Sequence, residues 1–62
     1  MTILEIKSKV TPQDMKSRSV WVQTNLTNNP YRLVKIGRKF VSVLSEGQVK
    51  IIDPIIIKEI RM

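Results

Sequence analysis

From Val20 onward the chain is written as apolar runs of about five residues, each closed by turn-forming residues, and this punctuation restricts the fold more than any other feature. Val20-Trp21-Val22-Gln23-Thr24 is the first run, broken by Asn25-Leu26-Thr27-Asn28-Asn29-Pro30, an exposed loop by composition. Tyr31-Arg32-Leu33-Val34-Lys35-Ile36 and Lys39-Phe40-Val41-Ser42-Val43-Leu44 flank Gly37-Arg38 and predict a hairpin, with Gly37 supplying the positive φ of a two-residue turn. Ser45-Glu46-Gly47 then turns the chain into Gln48-Val49-Lys50-Ile51-Ile52, which predicts a three-strand meander stopped by Asp53-Pro54.

The two ends are read differently. In the tail, Ile55 to Met62 suits either one continuous strand or a single helical turn followed by a short strand. The second is preferred, with Ile57 and Ile60 facing inward. Near the start, Ile3 to Lys7 reads as a strand. Thr11-Pro12-Gln13-Asp14 has a helix-start pattern, with Thr as N-cap, Pro at the first helical position and an acid at the third, so one short helical turn is expected near residues 11-18. Asp14 is thereby explained by capping rather than chemistry.

These elements make a mainly β chain of five or six short antiparallel strands with one short helical turn. A chain of 62 residues has apolar material for one core only, so residues 1-62 are expected to form a single domain. Closing the sheet into a small barrel would remove edges that an Ile-rich sheet otherwise exposes. The stretch from Tyr31 to Ile60, with Val-Lys-Ile-Gly-Arg-Lys-Phe-Val-Ser-Val and Val-Lys-Ile-Ile-Asp-Pro-Ile-Ile-Ile-Lys-Glu-Ile, resembles the meander and closing turn of SH3-like barrels. That group includes KOW-type domains of transcription and translation proteins and the small basic chromatin proteins of archaea. The resemblance implies a small SH3-like barrel and a nucleic-acid partner.

Catalysis is set aside on composition. The chain has no Cys and no His, and its five carboxylates, Glu5, Asp14, Glu46, Asp53 and Glu59, lie far apart in sequence. Its serines have no customary base beside them. No cofactor or metal site is expected. The absence of cysteine fits a cytoplasmic location, and neither a leader-like start nor an apolar run of membrane-spanning length is visible.

Binding is the better expectation. Eleven Lys and Arg against five Asp and Glu leave a net charge of +6, a field that attracts polyanions. The densest basic cluster is Arg32, Lys35, Arg38 and Lys39, with Lys50 expected on a neighbouring strand and Lys16 and Arg18 extending the patch. Such side chains supply sequence-independent phosphate contacts. Trp21 and Tyr31 are candidate stacking residues among three aromatics; the third, Phe40, is assigned to the core. Alternation puts Trp21 on the outer face if Val20 and Val22 are core, whereas as the largest side chain it also suits the interior.

The expected function is therefore non-catalytic nucleic-acid binding, to DNA or RNA, through a basic hairpin face. The alternative is a small protein-binding regulator or inhibitor, of the kind phages and plasmids encode, docking on an acidic surface of a larger host protein. A homodimer through Ile55, Ile56 and Ile57 is a further expectation, because three successive isoleucines cannot all face inward on a strand. No membrane partner is expected.

Overall fold

The computed structural model describes residues 1–62. In chain order the elements are α1 (Ile3–Lys9), α2 (Pro12–Ser17), β1 (Trp21–Thr24), β2 (Tyr31–Ile36), β3 (Val41–Ser45), β4 (Gln48–Ile52), a 3-10 turn (Pro54–Ile56) and β5 (Ile57–Arg61). The five strands form one antiparallel sheet in the order β4-β3-β2-β1-β5. The meander and the helical turn before the last strand are as expected. Closure is not: β5 pairs with β1, β4 pairs with β3, and the two outer strands do not meet, so the sheet stays open. β4 has no fully buried residue, and of its side chains only the partly buried Ile52 packs against the core.

The expected strand at Ile3 to Lys7 is instead a helix, and its cap explains why. Thr2 Oγ1 accepts the Glu5 N–H at 3.1 Å, and the Glu5 carboxylate accepts the Thr2 N–H at 3.1 Å, a reciprocal capping box. Seven residues of helix do not persist alone. This one is held by fully buried Ile6 and by the nitrogen of Met1, which donates to the carbonyls of Pro54 and Ile57 at 2.9 Å each. α2 repeats the design where it was expected: Thr11 Oγ1 accepts from the Asp14 N–H at 3.1 Å, Asp14 accepts from the Thr11 N–H at 3.0 Å, and Pro12 opens the helix. The backbone N–H that each carboxylate accepts, Thr2 for Glu5 and Thr11 for Asp14, holds both below the ordinary carboxyl range, and the threonine hydroxyls add to this.

The core is a single cluster on one face of the sheet. Val22, Leu33, Val41, Val43 and Ile57 come from the strands, and Ile6, Val10 and Val20 come from the segment that crosses over them. Two further expectations are corrected here, and the inward placing of Ile57 and Ile60 is met. Phe40 is 50% exposed, because Val41 takes the first inward position of β3 and leaves Phe40 in the Gly37–Phe40 connection. Gly37 does not use positive φ; its N–H donates to the Phe40 carbonyl at 2.9 Å, and a Cβ there would meet that oxygen at 2.8 Å. The left-handed pair is Glu46 (φ 53) and Gly47 (φ 77), the two-residue loop between paired Ser45 and Gln48. In the tail, Ile57 is buried, Ile60 packs against the core from a partly buried position, and Ile55 is exposed. The three isoleucines 55–57 therefore do not share one exposed patch.

Candidate nucleic-acid interface

The helices cover only the inner face of the sheet, and the cross-strand registers show what lies on the other. Trp21 is opposite Arg32 on one side and Arg61 on the other; Arg32 is opposite Leu44, and Leu44 opposite Val49. Directly paired residues point to the same side of a sheet. Since Val22, Leu33 and Val43, the next residues along these strands, are buried, the row Arg61–Trp21–Arg32–Leu44–Val49 points outward. Trp21 is accordingly 39% exposed, the outward of its two readings.

A bulge adds a second cation to this face. On strict alternation Arg32 and Lys35, three residues apart, would point to opposite sides. The register slips between Leu33 and Lys35: Leu33 pairs with Val43 and Lys35 with Ser42, so Val34 is the extra residue. Lys35 joins the outward row Lys35–Ser42–Ile51, while Ile36 returns to the core side opposite Val41. A strand advances about 3.3 Å per residue, so Arg32 and Lys35 stand roughly 10 Å apart along β2.

Grooves flank the two ends of this face. One, of about 540 Å³, lies between the β1–β2 loop and the β3–β4 turn and is lined by Trp21, Asn29, Tyr31, Arg32, Leu44, Ser45 and Glu46 among others. Gln23 shapes its wall by donating from Nε2 to the Thr27 carbonyl at 2.8 Å. The other, also about 540 Å³, runs between the helices and β2, with Val10, Pro12, Met15, Val34 and Ile36 on its floor and Lys7, Lys16 and Lys35 around it. Lys16 and Lys35, far apart in sequence, are thus brought together.

The remaining candidates are distributed less favourably. Arg38 and Lys39 are exposed in the β2–β3 connection, at the end of the sheet away from Trp21. Lys50 is opposite buried Val43 and so leaves β4 on the core-facing side, not with Arg32 and Lys35. Arg18 is engaged by Asp14 at 3.7 Å. Tyr31, opposite Val22, sits half-buried on the core side with an edge in the first groove.

Sequence reasoning did not single out Arg61, Leu44, Val49, Ile51 or Glu46 for this surface. Alternation in Gln48–Ile52 was the available signal for Val49 and Ile51, whereas Arg61 becomes visible only through its pairing with Trp21. Arg61 also meets Glu59 at 3.2 Å, with both side chains more than half exposed. Such a pair is weak enough to exchange for another anion. Arg32, Lys35, Lys16 and Lys7 make no ion pair, so their charge is free for a partner.

No helix is long and apolar enough to cross a membrane. No family model, curated protein or solved structure matches the chain.

Proposed function

We propose that the chain is a non-catalytic nucleic-acid-binding domain that uses the outer face of its sheet. The observation that carries this reading is Trp21 held between Arg61 and Arg32 in one cross-strand row. Strands lie about 4.8 Å apart, so Arg61 and Arg32 leave the sheet one strand to either side of an exposed indole. An aromatic surface with a cation on either side accepts a stacked base while its phosphates find charge. Lys35, Lys16 and Lys7 continue the positive track towards the helices, and Arg38 and Lys39 extend it beyond the sheet end. The strand order, with a 3-10 turn before β5, supports reading the fold as an open relative of SH3-like barrels.

The test is a titration of the lone Trp21 fluorescence with single-stranded and duplex oligonucleotides at low and physiological salt, with an acidic protein as the charge control. About four to six engaged phosphates should give a log K against log salt slope of roughly −3 to −5. Salt-insensitive affinity, or equal quenching by the acidic protein, would overturn the proposal.

A second reading rests on the exposed apolar side chains of the same face. Val49 and Ile51, 64% and 72% exposed, adjoin Leu44 and the cations, a combination that suits an acidic protein surface with an apolar centre. One stoichiometric protein partner that survives nuclease treatment in a pulldown would favour it.

A further inference from the structure

Glu46 stands out on the basic side of this molecule. It occupies the first loop position of the β3–β4 hairpin with φ 53, a conformation that Gly, Asn and Asp adopt readily and a longer side chain does not. It makes no hydrogen bond to another side chain and no ion pair, and it is the one carboxylate lining the groove beside Trp21 and Arg32. For phosphate binding a carboxylate there is unfavourable. What it can recognise is a pair of hydrogen-bond donors.

We propose that this groove takes an unpaired guanine, with Trp21 stacking on the base and the Glu46 carboxylate accepting from its Watson–Crick edge. This rests on the nucleic-acid reading above and names the ligand class of the same face. Guanine presents N1–H and N2–H side by side, two donors for two carboxylate oxygens. Adenine and cytosine offer one amino group next to a ring nitrogen acceptor, which would oppose the second oxygen, and thymine offers a single N–H between two carbonyls. That edge is free only in a single strand, loop or bulge. Asn29 and Ser45 supply polar side chains on the same lining, and about 540 Å³ accommodates a nucleoside.

The experiment measures affinities of the intact protein for short oligothymidylates carrying one central guanine, inosine, adenine or cytosine, or no substitution, at low salt. The guanine oligomer should bind about 10-fold tighter than the all-thymine one, with inosine, which lacks the N2 amino group, falling between them. Glu46→Gln should abolish that preference while leaving affinity for the all-thymine oligomer unchanged or higher, because a negative charge is lost. Glu46→Asn suits the left-handed position and should raise the Tm while still abolishing the preference, which separates recognition from folding. Binding of all oligomers with equal affinity would overturn the guanine assignment and leave the binding face standing. No binding to any of them would overturn both.

Discussion

The two faces of the sheet are made from the same short strands and much the same β-forming residues, yet only one is covered. On the inner face Val22, Leu33, Val41, Val43 and Ile57 meet Ile6, Val10 and Val20 and lose contact with water. On the outer face Trp21, Leu44, Val49 and Ile51 stay in water beside Arg32, Lys35 and Arg61. Burial accounts for the first set, since each buried aliphatic side chain contributes about 1.5–3 kcal/mol. It accounts for little of the second. A bulge that turns Lys35 outward and an indole placed between two arginines add charge and exposure without adding core.

That contrast is open to direct attack, and isoleucine appears on both sides. Ile57→Ala should destabilise the fold by about 2–5 kcal/mol in urea unfolding, whereas Ile51→Ala should stay within about 0.5 kcal/mol. Equal losses would erase the distinction between the faces. Trp21→Ala should reduce single-strand affinity by about 1–3 kcal/mol of stacking, read by anisotropy with a labelled oligonucleotide, while far-UV circular dichroism stays that of the folded chain. Replacing Arg32 and Lys35 together by Ala should make the log K against log salt slope shallower by about 1.5–2, with Tm little changed; the same change made at Lys50, on the other side of the sheet, should have less effect.

The smallest effect belongs to the helices that cover the inner face. Glu5 and Asp14 have depressed carboxyl values in the folded chain, so their caps contribute fully above the ordinary carboxyl range. That contribution is lost as the pH falls through about 4 and below it. The Tm should decline over that window, and Asp14→Asn should flatten part of the decline by removing the carboxylate that accepts the Thr11 N–H. A Tm that rose on acidification would contradict the assignment.

Much of this arrangement was legible in the chain, and the exceptions have identifiable causes. β2 and β4 run where alternating apolar runs and turn residues put them, and the Thr11-Pro12-Gln13-Asp14 start yields the capped helix that such a pattern specifies. Ile3 to Lys7 reads as a strand because two isoleucines and a leucine in five residues suit one. Thr2 and Glu5 carry the capping-box spacing that decides for a helix. The side taken by Trp21 followed from alternation once Val22 was core, but that of Lys35 did not, because nothing in Leu33-Val34-Lys35 announces a bulge. The face of Lys50 is hidden for a related reason: membership of a neighbouring strand does not fix the face until the register with Val43 is known. Arg61 and Glu46 required tertiary pairing and a groove respectively, neither of which is a local property.

The most direct measurement is a ¹⁵N–¹H NMR titration of the protein with a short single-stranded oligonucleotide at low salt. The expected shifts fall on the Trp21 indole and on Arg32, Lys35, Leu44, Glu46 and Arg61, and leave the buried amides of Ile6, Val43 and Ile57 largely unmoved. Shifts centred instead on Ile55 and α1, or none at saturating oligonucleotide, would contradict an outer-face nucleic-acid site.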